Sequence, residues 1–325
     1  MSMTCGKIKP SEVGAVSMAL LLLREILVLF LIMGLGFLVV KLGLMNAGDS
    51  RVLSLLQVYI IYPCIMIKSF QLTLSPEILQ GFLFAVAVAI VANFLLLIFS
   101  KLMAKLFGLD AVEQASIMYA NTANMIFPLV MAVLGDEWLI YSSAFMCVQV
   151  IFVWTHGNAL LSGQKGISWR KIFTNINLMA VAVGLGLMLL GIRLPEILVS
   201  VFDDLASTAG PLAMVMIGML LANVKWKEVL TNKRIYLVTF LKMIAVPLLI
   251  LTLMKLSGVA GLIENGRNLL YISFMAVISP CAATLTQIAQ LYRNRPEHAS
   301  AINVVTTLVS LVTMPLMTWL YMSWI

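Results

Sequence analysis

Two short polar stretches interrupt otherwise apolar sequence. The first, NTANMIFPLV, carries Asn121, Thr122, Asn124 and Pro128; the second, AVISPCAATLTQ, carries Ser279, Pro280, Thr284 and Gln287. Hydrocarbon offers no water to satisfy an amide side chain or a carbonyl that has lost its donor, so such residues are expensive there. Proline removes an amide donor and clashes with the preceding turn, and helices are therefore expected to break near Pro128 and near Pro280. A break exposes backbone dipoles and half-helix N-termini, which favour an anion. The surrounding amides and hydroxyls suit reversible binding of a small anion. Further polar residues follow the same logic. Ser142, Gln149 and His156 recur every seven residues, and Asn303, Thr306, Thr307 and Ser310 recur at i, i+3, i+4 and i+7, so each set shares one helix face. Each face reads either as a polar wall beside a break or as ordinary contact between membrane helices. Lys242 lies about two turns inside an apolar run, where a functional role is the default reading of a charge. Its long stem either snorkels to the interface or keeps the ammonium inside, opposite a carboxylate or another counter-charge.

The elements that hold these residues are membrane spans. Of 325 residues, 62% are hydrophobic and 11% charged, against roughly 25% charged in a soluble domain. A span needs about 20 apolar residues, and ten such runs lie near 20–40, 51–69, 78–100, 111–134, 139–161, 172–191, 204–223, 235–256, 269–291 and 299–323. Lys7 and Lys9 precede the first run, but no small-residue cleavage site follows it, so it reads as a retained span. The four cysteines, Cys5, Cys64, Cys147 and Cys281, show no spacing for a disulfide framework or a metal site. With two histidines, His156 and His298, and neither HExxH nor GxSxG, the chain lacks the constellation an enzyme needs. No cofactor is indicated. The net charge of +7 is spread over short loops and does not form a nucleic-acid patch.

Loop charge sets the orientation. With the N-terminus outside, the inner loops hold 13 basic residues and the outer ones seven, so the positive-inside rule places both termini outside. Prolines also recur: Pro63 and Pro211 are 148 residues apart, and Pro128 and Pro280 are 152 apart. Spans 1–5 and 6–10 therefore read as two copies of one unit. A unit with an odd number of spans inserts its second copy upside down, and inverted repeats with matching broken helices are the pattern of a secondary transporter with a midplane site. The expected division is an N-terminal extension 1–17, a first repeat 18–163, a cytoplasmic connecting loop 164–171 and a second repeat 172–325.

With these motifs in place, the chain resembles a known family. NTANMIFPLVMAVLGDEWL followed by FVWTHG, the segment AGPLAMVMIGMLLA and the C-terminal SPCAATLTQIAQLYRNRPEHASAINVVTTLVSLVTMPL are similar to the auxin efflux carrier family in its bacterial form, often labelled malate or malonate permeases and related to the plant PIN-FORMED carriers. The resemblance covers nearly the whole chain. It implies an all-α fold of ten transmembrane helices in two inverted five-helix repeats, as in bile acid sodium symporters, with spans 4 and 9 crossing at their prolines. It further implies an elevator in which spans 3–5 and 8–10 move against a scaffold of spans 1, 2, 6 and 7, and a homodimer formed through that scaffold. The family's crossing asparagine and proline in span 4 fall on Asn121 or Asn124 and on Pro128. In span 9 the proline is Pro280, while the second crossing asparagine has no match.

The function expected is a secondary carrier for a small organic anion, a mono- or dicarboxylate, in the cell membrane. The alternative is a sodium-coupled relative of the bile acid symporters. All fourteen acids fall in loops or near span ends, whereas a cation-coupled carrier usually keeps a carboxylate at depth. An uncoupled carrier fits that pattern. Few aromatic rings lie near the breaks, Phe127 and Tyr119 chief among them, which favours a compact aliphatic acid over an indole.

Overall fold

The computed structural model describes residues 15–73, 75–163, 170, 173–224 and 226–325; the side chains of residues 15–19, 123, 124 and 228 lie outside that description. Of the expected N-terminal extension only residues 15–17 are described, as the start of a helix, and of the connecting loop 164–171 only residue 170.

The chain is helical throughout the described residues. In order, α1 (Ala15–Lys41) is followed by α2 (Ser50–Leu56) and α3 (Tyr62–Ser69), joined through a π turn, Gln57–Ile61. Next come α4 (Pro76–Phe107), then α5 (Ala111–Met118) and α6 (Phe127–Val133), the two halves of an interrupted span. α7 (Leu139–Phe152) and α8 (Asn158–Ser162) run on through the π turn Val153–Gly157. After α9 (Ile176–Leu189) and α10 (Glu196–Leu221), a short α11 (Trp226–Thr231) leads to α12 (Lys233–Phe240) and α13 (Val246–Ser257), joined by the π turn Leu241–Ala245. The second interrupted span is α14 (Gly266–Ile278) and α15 (Ala283–Leu291), and α16 (Pro296–Trp324) ends the chain.

Among the described residues, seven continuous helical segments are long and apolar enough to cross a membrane: Leu20–Lys41, Ala47–Ser69, Pro76–Phe107, Asp136–Ser162, Glu196–Leu221, Lys233–Ser257 and Pro296–Trp324. The expected spans 4 and 9 occur as half-helices, and the sixth as α9, an apolar helix of 14 residues. Three of the π turns directly precede a proline at the second position of the next helix, Pro63, Pro128 and Pro247, with the turns Gln57–Ile61, Thr122–Ile126 and Leu241–Ala245 before them. A widened turn relieves the clash of the ring with the carbonyl behind it. The fourth π turn has no such proline.

α1 packs most closely on α10, and glycines are the reason. A Cβ on Gly36 would overlap the Val215 carbonyl, and one on Gly218 would overlap that of Met33. Small residues let membrane helices approach backbone to backbone. At one end of this layer Lys68 of α3 pairs with Asp136, 3.0 Å away, and with Asp203 of α10. α16 packs along α1 as well, and the interrupted spans lie against the helices around them, α14 against α4 and α7 and α15 against α16. Pro128 meets Gly210, where an added Cβ would lie 3.0 Å from the Pro128 Cβ.

Candidate functional site

The two interruptions meet. After α5 the backbone extends at Tyr119 (φ −96°, ψ 131°), and after α14 it extends at Ser279 (φ −71°, ψ 154°). The extended pieces pair antiparallel at Ala120 and Cys281. Asn121 N donates to the Pro280 carbonyl (2.8 Å) and Ala282 N to the Tyr119 carbonyl (3.1 Å). Backbone groups released by the breaks thus satisfy each other.

The carbonyls of Ala120 and Cys281 point away from this pair, and each is taken by an amide side chain from the helix that follows its own break. Gln149 of α7 donates through Nε2 to the Ala120 carbonyl (2.6 Å) and to Thr122 Oγ1 (3.3 Å). Asn303 of α16 donates through Nδ2 to the Cys281 carbonyl (3.0 Å), while Cys281 N donates to Thr306 Oγ1 (3.2 Å). Gln149 and Asn303 therefore hold the paired backbone in place. Thr306, Thr307 and Ser310 donate back into α16 at Ile302, Asn303 and Thr307.

Several polar atoms at this junction are buried with no hydrogen-bond partner among the described residues: Asn121 Nδ2, Gln149 Oε1, Ser116 Oγ and Lys242 Nζ. Lys242 is fully buried, so its ammonium stays inside and does not snorkel. Its π turn packs against α5 and α16, and its electrostatic neighbour is the Cys281 thiol, beside which Ser116 also lies. An isolated ammonium away from water is costly unless something compensates it.

The other expected site residues sort as follows. Asn121 and Thr122 are buried at the junction; the side chain of Asn124 lies outside the described residues. The Ser279 hydroxyl donates to the Ala276 carbonyl (2.8 Å), so it caps α14. The Pro280 carbonyl belongs to the backbone pair. Pro128 is not in a break: the residues that leave the helix are Tyr119–Asn121, the chain turns helical again at Thr122, and Pro128 follows the π turn Thr122–Ile126, whose extra width accommodates its ring. Thr284 and Gln287 are exposed on α15, and Gln287 Nε2 reaches Ser54 Oγ of α2 (2.9 Å). Tyr119 and Phe127 are buried: the Tyr119 hydroxyl donates to the Phe152 carbonyl (2.9 Å) with His156 Nδ1 3.0 Å away, and Phe127 lies against Tyr62 at 6.3 Å between ring centroids.

One cluster escaped sequence reasoning. Glu113 is 1% exposed. Its Oε2 accepts from Asp110 N (3.0 Å) and from Arg234 Nη1 (3.2 Å), and its Oε1 lies 3.1 Å from His298 Nε2. Arg295 pairs with Asp110, and Arg234 also donates to the Gly108 carbonyl (3.0 Å). The knot ties together the starts of α5, α12 and α16. Asp110, Glu113 and His298 bring ligand atoms within 4.8 Å of one another, but both carboxylates are already matched by arginines, which makes this an ion-pair lock. Its one local signal was the Asp-x-x-Glu capping box at 110–113.

Spanning helices, two of them broken and pinned by buried polar side chains, define a multi-pass membrane transport protein. The family model described as membrane transport protein matches residues 21–168 and again 162–318. The chain belongs to that family, the auxin efflux carrier family. No curated protein matches it.

Proposed function

We propose that this protein is a secondary carrier that moves a small organic anion, a carboxylate, across the cell membrane by alternating access, and that the anion binds where the broken helices pair. The observation that carries the reading is Lys242, a buried ammonium with no partner, beside Cys281 of the pair. A carboxylate supplies the counter-charge that burial requires. Asn121, Thr122, Gln149 and Asn303 complete the site around it.

The mechanism follows the two-repeat reading, for which the two interrupted spans pairing at Ala120 and Cys281 speak. Ten spans in two inverted five-helix repeats place spans 3–5 and 8–10 in a moving body and spans 1, 2, 6 and 7 in a scaffold, with both termini outside and a homodimer formed through the scaffold. In that frame the Glu113 knot joins elements of the moving body alone. The Pro128–Gly210 contact and the Gln287–Ser54 bond lie between body and scaffold, where an elevator must slide. Thr284 and Gln287 then line the inner access route and do not touch the bound anion.

Purified protein in liposomes tests the reading by counterflow of labelled carboxylates, with lactate, malate and indole-3-acetate as the panel and Lys242→Met as the paired control. Saturable exchange that Lys242→Met loses is the expected result. An absence of exchange for every anion, with or without a sodium or proton gradient, refutes it.

A further inference from the structure

The two sides of the junction are packed unequally. On the outer side α6 lies against α1 and α10, with Pro128 beside Gly210. On the inner side α15 packs on α16, α5 and α8. Thr284 and Gln287, three residues apart, share one face of α15. Gln287 reaches Ser54 of α2 across that face, yet both residues remain exposed. With α5 to α8 and α14 to α16 in the moving body and α1, α2, α3 and α10 in the scaffold, the body is seated on the scaffold at its outer half and stands off at its inner half. That is an inward-facing arrangement.

A charged triad bridges the outer side. Lys68 lies in the last turn of α3, Asp136 opens the short turn Asp136–Trp138 between α6 and α7, and Asp203 stands in α10. Lys68 Nζ is 3.0 Å from Asp136 Oδ2 and also pairs with Asp203 Oδ1. The lysine side chain is 14% exposed, against 48% for Asp136 and 46% for Asp203. Lys68 is thus the member for which losing a partner costs most. Carboxylates on two different bodies meet that cost. When the body slides, Asp136 leaves with it, while Asp203 stays on the scaffold and keeps the ammonium compensated.

Resting on the carrier reading above, we infer that Lys68, Asp136 and Asp203 form an outer latch. The Lys68–Asp136 pair holds the inward-facing state and opens once in each transport cycle, and Asp203 retains the lysine while it is open. The two carboxylates therefore have opposite effects. Asp136→Asn removes the link between body and scaffold and favours the outward-facing state. Asp203→Asn keeps that link and removes the lysine's alternative partner, so it favours the inward-facing state.

The test is a distance measurement between spin labels on Glu264→Cys, in the loop between α13 and α14, and Glu196→Cys, at the start of α10, in full-length protein whose native cysteines are replaced by alanine. Both label sites are exposed and stand on opposite sides of the sliding interface. Asp136→Asn is expected to raise the outward-facing population about threefold, the effect of one partly exposed ion pair, and Asp203→Asn to lower it. Both substitutions fall on half-exposed side chains and should leave the melting temperature unchanged. Populations that do not change, or that shift in the same direction in both variants, overturn the latch; the carrier reading then stands if the parent protein exchanges carboxylates in counterflow. A parent protein that exchanges none overturns the carrier reading, and the distances still decide the latch.

Discussion

The two amides that hold the paired backbone should differ in what they contribute to stability, and the difference can be worked out from their second atoms. Gln149→Leu and Asn303→Leu each remove the donor to a buried carbonyl, Ala120 or Cys281, each residue being 1% exposed. An orphaned buried carbonyl costs about 1–3 kcal/mol, whereas interhelical hydrogen bonds in membranes average about 0.6 kcal/mol because the unfolded chain finds other partners. Here that alternative is real, since either carbonyl could return to an unbroken helix, so the lower half of the range applies. Gln149 also carries the unpartnered Oε1, and leucine removes that burden along with the bond. Gln149→Leu should therefore cost about 1 kcal/mol and Asn303→Leu about 2 kcal/mol. Both act on one backbone pair, so the double variant should cost less than the sum, with a coupling of at least about 0.5 kcal/mol. Thermal unfolding in detergent measures the order, and maleimide labelling of Cys281, buried in the intact pair, gives a second readout as the junction loosens. Gln149→Leu being the more damaging, or strict additivity of the two, would refute the reasoning.

Lys242→Met should abolish anion exchange while leaving the melting temperature unchanged or raised, because replacing an unpaired buried cation by an apolar side chain of similar length removes a desolvation penalty; a fall of several degrees would mean that the ammonium has a structural partner. Gly218→Val drives a side chain into the Met33 carbonyl and should destabilise by about 3 kcal/mol or more, whereas Gly34→Val, with no atom within 4 Å of the added Cβ, should be close to neutral; equal effects would show that α1 and α10 are not locked by this approach. Glu113→Ala strands His298 and Arg234. Because Arg234 is half exposed, the cost should be about 2 kcal/mol, below the 3–5 of a fully buried pair, and Glu113→Gln should recover part of it, as thermal unfolding can check.

What the sequence made legible, and what it hid, divides along the range of the forces involved. Asparagine and proline in an apolar run announce a broken helix by local chemistry alone, so both interruptions could be expected. Their positions could not be read equally well. At the second break Pro280 lies in the segment between the half-helices, but Pro128 sits inside a half-helix that restarts at Thr122, where the π turn before it makes room for the ring. Gln149 and Asn303 were visible as costly amides, yet their partners are carbonyls 29 and 22 residues away. Cys281 showed no motif spacing because what it contributes is its backbone, paired with Ala120 and bonded to Asn303 and Thr306. Glu113 was the hardest to see. It stands at a span end, where an acid is unremarkable, and it is buried only because Arg234 and His298 arrive from 121 and 185 residues along the chain. Lys242 was the reverse case, since local rules allowed either snorkelling or burial. The π turn at Leu241–Ala245, packed against α5 and α16, decides for burial. Helix breaking is thus written in single residues, whereas charge compensation is a property of pairs. A carrier site is a compensation problem left open for its substrate, which is why the unmatched charge, more than any motif, points to the ligand.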